Sequence, residues 1–569
     1  MPKFLQLLLA TLIFFLPAAT YSQFTFTTNN GTLTVTAYTG TSQNVVIPGM
    51  TNGYPVTCIG TNAFKNDNFT NIIIPEGITA IDDSAFYSTP LLGNLTLPNS
   101  LLTIGSSAFL NCWQMNSVTF GNSLTNIGSA DDGRGVFFLT ELTSVVIPNS
   151  VLTIGSYAFS IGNPSLTNVV IGTKVTTIGD NAFNSDTVLP NITIPNSVTS
   201  VGTSTFAFCG GLKNVTMGSG LASLGAEAFY YCSGLTNVVM LGGVTNWQDE
   251  VFYDCTSLQS VSLAEGTTTI GNDAFSGCSK LANCPIPNTV TYIGTNAFAN
   301  THLSSFNFPT NVGENIGDGA FSGTYFTNLI IPPSITDIGT GWFEDCQYLT
   351  NVYLSDGITS IGPDAFDGCG LISVSLPDTL TSIGQGAFAG CRFLASIVIP
   401  NSVTNIGIYA FNGCSTMISV TIPASITYLP DYTFYETPSL KWVYFGGNAP
   451  TLGGTNEFGS DEEYFDESQA TIYYLPGTTG WSNSFDGRPT LLWNPQAQTS
   501  DGFFGVRTNR FGFNITGTSN VMFVVEACTN LAHPVWQSLG TYTLSGSPVY
   551  FSDAQWMNWP GRYYRFRSP

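Results

Sequence analysis

Apolar and polar positions along this 569-residue chain recur with a period near 23, longer than the repeat of any single helix or strand. The unit reads L-x-N/S-V-x-I-P-x-x-V-T-x-I-G-x-x-A-F-x-x-C, and its phenylalanine sets the register in 17 units running from Phe64, Phe86 and Phe109 to Phe388, Phe411 and Phe434. A fixed period of this length is the mark of a stacked repeat, because one such unit cannot bury its apolar face alone. Within the unit, alternation such as Val261 and Leu263, or Ile397 and Ile399, predicts a short inner strand. Proline often ends that strand, as at Pro98, Pro148 and Pro400, where the missing N–H and fixed φ turn the chain. A second, outer extended piece follows, for example Val403 to Ile406. Glycine comes next in 14 of the 17 units and is expected to supply a backbone conformation closed to other residues. The Ala-Phe pair then fits a tight turn with Phe filling the core.

Composition agrees with strands and turns. Charged residues are only 9% of the chain, while 59 Gly, 30 Pro and 41 Phe stand in place of helix formers, which excludes bundles and coiled coils. An apolar fraction of 43% excludes a disordered chain. The formal net charge of −22 argues against nucleic acid and anionic lipid surfaces, both of which need clustered cations. Residues 497–569 reverse the sign, with five arginines against three acids, and place a boundary near Pro495.

The N-terminus has the pattern of a secretory signal: Lys3, an apolar run from Phe4 to Leu16, then Pro17 and small residues before a cleavage point near Ser22. The run is short for a membrane span of ~20 residues. The domains expected are therefore a signal peptide at 1–22, an N-terminal β cap at 23–47 with a hairpin turn at Asn29, Asn30 and Gly31, and repeats at 48–445. A C-terminal cap at 446–495 and a small β module at 496–569 complete the chain.

Nine of the twelve cysteines follow a repeat phenylalanine by three residues, from Cys112 to Cys414. Side chains at one site of successive coils run parallel, so a ladder of buried free thiols is expected in place of disulfides. With two histidines and no Cys-x-x-Cys, no metal centre or cofactor is expected. No nucleophile elbow, P-loop, zinc-protease pair or dinucleotide fingerprint occurs, and the chain reads as a non-enzyme. The densest carboxylates, Asp461, Glu462, Glu463, Asp466 and Glu467, lie among glycines and read as a solvated loop. Asp461, Glu463 and Asp466 are the one weak candidate for a calcium site. Asp131 and Asp132, in an insertion, read the same way.

Stretches such as Leu394 to Cys414, with Ile397, Ile399, Pro400, Val403, Ile406, Ala410 and Phe411 in register, resemble the BspA-like (Treponema-type) leucine-rich repeat over about residues 45–445. The resemblance implies a mainly β leucine-rich-repeat solenoid of about 17 coils shown on bacterial and some protozoan surfaces, with roles in adhesion and no catalytic residues. The tail, from Phe511 to Arg567, is similar to C-terminal modules of exported proteins from Verrucomicrobia-like bacteria, and its alternation suggests a small β-sandwich. Trp247 and Trp342 at core positions, Pro285 within a strand and the insertion from Gly128 to Gly135 depart from the pattern and unsettle single coils.

A solenoid repeats its outward residues as rows. The central outward position of the inner strand runs through Ile73, Thr96, Thr119, Val146, Val170, Thr193, Thr216, Val239, Ser262, Asn307, Ile330, Tyr353, Ser375, Val398, Thr421 and Tyr444: a small, neutral, flat face suited to multivalent contact. Tyr353, Trp442 and Tyr444, with Thr193, Thr216 and Thr421, are the binding candidates, since interfaces concentrate energy in Tyr and Trp. The outer strand carries Thr in 13 of 17 units, a row that resembles ice-binding faces. The expected function is an exported, secreted or cell-surface, adhesin-like binding protein. It is read as a monomeric solenoid meeting an extracellular protein or glycan, with no transmembrane segment in the mature chain. A structural envelope or matrix protein, a carbohydrate-active enzyme and an ice-binding protein are the alternatives.

Overall fold

A computed structural model describes residues 22–128, 135–160, 165–453, 464–465 and 468–568. They form two compact units, one of residues up to Leu303 with Pro309–Ala320, the other of Ser304–Phe308 with everything from Phe321 on.

In the first unit a single 14-stranded sheet collects the outer strands. It starts with the hairpin Phe24–Asn29 and Thr32–Tyr38, whose turn residues Asn30 and Gly31 both have positive φ. That is the geometry an Asn-Gly pair favours. Tyr54–Ile59 follows, and then one two-residue strand per coil from Ala80–Ile81 to Tyr292–Ile293, all parallel. Inner strands stack in the same register: Asn44–Val46 on Asn71–Ile73, Asn94–Thr96 up to Asn168–Val170, and Asn191–Ile194 up to Asn237–Met240. The expected cap thus already contributes the first inner strand. Beyond it the inner strand shrinks to single bridges at Ser260 and Asn283, the latter two residues before Pro285.

The second unit repeats the design. Its inner strands run Asn328–Ile331, Asn351–Leu354 and Ser373–Ser375, then Ser396–Val398, Ser419–Ile422, Trp442–Phe445, Thr471–Tyr474 and Arg488–Leu492. After Gln496 two sheets face each other. One joins Gln496–Gln498, Gly505–Arg507, Arg510–Thr516 and Val549–Asp553, and the other has Met522–Cys528 between Gln537–Thr543 and Tyr563–Arg567. Phe513, Ile515 and Phe551 from the first meet Phe523 and Val525 from the second in one core, a small β-sandwich.

Each coil is centred on its phenylalanine, which has no solvent exposure from Phe64 to Phe434. Within each unit consecutive rings stack, with centroids 4.9 Å apart for Phe64 and Phe86 and 5.4 Å for Phe183 and Phe206. Burying one such ring contributes roughly 1.5–3 kcal/mol, so the stack is a large part of the nearest-neighbour stability. In the second unit the stack runs on past Phe434 to Phe465, at 5.5 Å and 7°. The spacing of 31 residues between them hides this additional coil inside what the sequence presents as a cap.

The repeat glycine works differently from expectation. A Cβ on Gly407 would stand 2.3 Å from the backbone nitrogen of Gln385, and one on Gly225 would be 2.4 Å from the carbonyl carbon of Gly202. These glycines are needed for close approach of the preceding coil, not for an unusual φ. Positive φ falls instead two residues before and two after the phenylalanine, as at Asn181 and Ser185, or Glu227 and Tyr231.

Candidate functional site

The two outward rows are chemically unlike. On the outer strands most threonine hydroxyls turn back into the fold and donate to the carbonyl one coil earlier: Thr199 to Thr176 at 3.2 Å, Thr268 to Thr245 at 3.1 Å, Thr381 to Thr359 at 2.9 Å. That regularity accounts for the threonines by backbone geometry. The asparagines that open the inner strands form a similar ladder, Asn214 Nδ2 donating to Asn191 Oδ1 at 2.6 Å and Asn237 to Asn214 at 2.8 Å.

The central inner position has no comparable use. Its side chains stand on a parallel sheet; some are polar, as Thr96, Thr193 and Ser375 are, and most of the rest are apolar and exposed. In the first unit these are Val46, Ile73, Val146, Val170 and Val239. In the second, Ile330 is 67% exposed and Tyr353 61%. Grooves border the row. Thr193, Thr216 and Val170 line one of about 660 Å³, and Val118, Val146 and Val170 line another of about 820 Å³.

The candidate residues therefore separate. Thr193 and Thr216 share a groove of the first unit. Tyr353 stands free on the row of the second unit. Thr421, Trp442 and Tyr444 lie together further along that row, under the tail module. Tyr444 is 5% exposed and belongs, with Tyr473, to the core of Phe513, Ile515 and Phe523, while Trp442 and Trp493 pack against it. The Thr421 and Ser568 hydroxyls are 3.0 Å apart. Tyr444 is thus held inside the molecule, where the sequence pattern alone gave it the same outward direction as Tyr353. Asp461, Glu463 and Asp466, with Glu462, Glu467, Asp131 and Asp132, lie outside the described residues, as do residues 1–21 of the signal segment. Among the described residues no three His, Cys, Asp or Glu side chains converge as a metal site, and no helix is long and apolar enough to cross a membrane.

All twelve cysteines are free thiols. The nine repeat cysteines each donate Sγ–H to the carbonyl of the phenylalanine one coil back, as Cys209 does to Phe183 at 3.2 Å and Cys414 to Phe388 at 3.2 Å. Burial pushes Cys112, Cys232 and Cys414 up to about 12. In other coils threonine takes the site, Thr89 donating to Phe64 at 2.9 Å. One coil places a carboxyl there: Asp186 is completely buried, with no partner for either oxygen among the described residues. Burial raises its pKa well above the ordinary carboxylate range.

A third feature escaped the sequence reading. The turns around the phenylalanines carry much of the negative charge, interleaved with aromatic rings. Tyr230 stacks on Tyr253 at 5.2 Å and Phe208 on Tyr231 at 5.7 Å, beside Glu227, Asp249, Glu250, Asp254 and Asp273. Desolvation, then Glu227, Asp273 and Asp249, push Glu250 upward. In the second unit desolvation, then Asp364, Glu344 and Asp345, raise Asp367 to about 6. Alignment of the positions two before and two after each phenylalanine is the signal that would have found it.

Parallel coils of this kind, with an asparagine-led strand, a buried ladder and a tight turn, define a leucine-rich-repeat solenoid. The BspA type leucine rich repeat region, six copies long, matches residues 33–163, 131–257, 203–314 and 314–441, and the chain belongs to that family. Solved structures similar to it include a leucine-rich repeat protein from Bacteroides ovatus, 25% identical, covering 73% of this chain and 95% of that one with a TM-score of 0.47. A leucine rich cell surface protein from Faecalibacterium prausnitzii is 23% identical over 76% of this chain and 95% of its own, TM-score 0.37. The pneumococcal vaccine antigen PcpA is 17% identical over 83% and 97%, TM-score 0.27. No curated protein matches the chain.

Proposed function

We propose that this is an exported, non-enzymatic binding protein that meets an extracellular protein or glycan through the exposed row of its inner strands, as an adhesin does. The observation that carries the reading is the contrast between rows. Most outer threonines are spent on the fold, whereas Val146, Val170, Ile330, Tyr353 and Val398 are apolar and exposed. Adjacent exposed apolar pairs such as Val146 with Val170 and Ile330 with Tyr353 suit an interaction site, and repetition along a solenoid adds many weak contacts into useful avidity. The segment from Lys3 to Ser22 supports export and a secreted or cell-surface location, and the low cation content keeps nucleic acid out of the reading.

The test is an array of immobilised matrix proteins and glycans probed with the full mature chain and with two double variants, Ile330→Asp/Tyr353→Asp and Thr291→Asp/Thr404→Asp. Charge on the inner row is expected to weaken the strongest signal at least tenfold, and charge on the outer row to leave it within twofold. Equal loss from both, or no signal on any surface, would overturn the reading.

A further inference from the structure

The tail module holds five arginines and no lysine. Three of the five are paired, Arg562 with Asp553 at 2.7 Å, and Arg565 and Arg567 with Glu526 at 2.8 Å. The other two, Arg507 and Arg510, lie directly opposite each other where the strands Gly505–Arg507 and Arg510–Thr516 meet. Thr508 and Asn509 between them both have positive φ, the tight turn that fixes this register. Like charges facing across a strand pair work against the fold, and among the described residues neither arginine forms an ion pair. Asp501, on the same loop, is occupied: it accepts from the Phe503 N–H at 2.9 Å and from the Asn514 amide at 2.7 Å. Two exposed rings stand beside the arginines. The Arg507 guanidinium lies 4.6 Å from the Phe503 ring centre, and Phe503 meets Tyr550 at 6.2 Å and 68°.

The complement of this hairpin is on the same chain. In the turns around Phe229, Phe252 and Phe275, Glu250, Asp254 and Asp273 lie beside Tyr253, and Asp254 also lies beside Tyr231. Among the described residues none of these carboxylates forms an ion pair either. A guanidinium suits such a surface, because its planar fork pairs with carboxylates and its face stacks on aromatic rings. Each surface carries one sign of charge, so hairpin repels hairpin and turns repel turns. Each fits the other.

We propose that the protein associates with itself, the Arg507–Arg510 hairpin of one copy docking on the acidic, tyrosine-lined turns at Glu250 and Asp273 of a second copy. The contact joins unlike surfaces, so it leaves a further hairpin and a further set of turns to be satisfied, and it closes into a ring or continues as a chain. The net charge of −22 repels whole copies. At ~0.15 M salt that repulsion is screened beyond ~8 Å, whereas groups in contact are screened less. Association is therefore strongest at intermediate salt. The contact uses neither row of strands, and it stands whether or not the inner row at Ile330 and Tyr353 binds a partner.

Sedimentation velocity of the full mature chain over a concentration series tests this. The wild type is expected to associate with rising concentration, most strongly near ~0.15 M sodium chloride, and to dissociate at ~1 M, where the Debye length falls to ~3 Å. Arg507→Glu/Arg510→Glu and Glu250→Lys/Asp273→Lys should each weaken self-association at least tenfold. Mixed together, the two variants should associate again, since the mixture restores opposite charges at the contact, which variants that had lost their fold could not do. Asp356→Lys/Asp378→Lys changes the net charge as much as the second variant does and should not weaken association. A wild type that stays monomeric at every concentration and salt overturns the proposal. So does a mixture that fails to associate, or a loss from Asp356→Lys/Asp378→Lys equal to that from Glu250→Lys/Asp273→Lys.

Discussion

The Sγ–H of Cys232 donates to the carbonyl oxygen of Phe206, one coil back, at 3.1 Å. The same bond recurs at every repeat cysteine, so the thiol serves as a small hydrophobic side chain with a weak donor. Cys232→Ala removes both and is expected to cost roughly 1–2 kcal/mol in denaturant unfolding. Cys232→Thr, which copies the chemistry of Thr89, should cost less. The thiols should also resist iodoacetamide in the native protein near pH 8, because burial holds Cys112, Cys232 and Cys414 up at about 12. All twelve should react once the unreduced chain is denatured. Oxidised cysteines in that denatured sample would refute the thiol ladder.

Asp186 interrupts the ladder with a carboxyl that has nothing to pair with among the described residues. Its pKa is raised in the folded chain above an unfolded value of about 3.9. Its proton-linked stability is therefore fully present below about pH 4 and is lost as pH rises toward the folded pKa. Asp186→Cys is expected to stabilise the protein at pH 7 by about 1–3 kcal/mol and to gain little at pH 3.5. Paired thermal melts of wild type and variant at the two pH values give the answer, and an equal shift at both would contradict the assignment.

Gly407 tests the close-approach reading of the repeat glycine. Its absent Cβ would fall 2.3 Å from Gln385 backbone nitrogen, where nothing flexible can yield. Gly407→Ala should destabilise by about 2 kcal/mol or more, as overpacking in a tight core does. By contrast Phe208, at φ 60°, holds a conformation that costs a bulky residue about 1–2 kcal/mol. Phe208→Gly is expected to be neutral or stabilising despite losing its stack on Tyr231. The melting temperature should fall for Gly407→Ala and should hold or rise for Phe208→Gly.

The acidic turns predict a salt response. Beyond desolvation by burial, the charges of Glu227, Asp273 and Asp249 raise the proton affinity of Glu250, and Asp249 raises that of Asp273. Screening by salt weakens such repulsion within a Debye length of about 10 Å at 0.1 M. The melting temperature should rise between 10 and 300 mM sodium chloride, and Glu250→Gln should shrink that rise. An unchanged salt response in the variant would show that these carboxylates do not set it.

The period, the strand pair in each coil and the buried phenylalanine were legible because every unit states them again. The coil of Phe465 was not, since its spacing from Phe434 breaks the period. Asp186 was visible in principle: it stands three residues after Phe183, where nine other coils have cysteine. The burial of Tyr444 could not be read, because alternation gives the side of a strand and not what covers it. Its cover comes from Phe513 and Phe523, far along the chain. The aromatic and acidic turns were overlooked because a strand-based reading attends to alternation, and these residues sit on the connections.

The most direct test of the account is a side-chain footprint of the full chain, free and bound to the strongest ligand of the array, by hydroxyl-radical labelling. Protection at Val146, Val170, Ile330, Tyr353 and Val398, with the outer row at Thr199, Thr291 and Thr404 unchanged, is the predicted result. Protection on the outer row, or on the acidic turns alone, with the inner row as exposed as in the free chain, would contradict it.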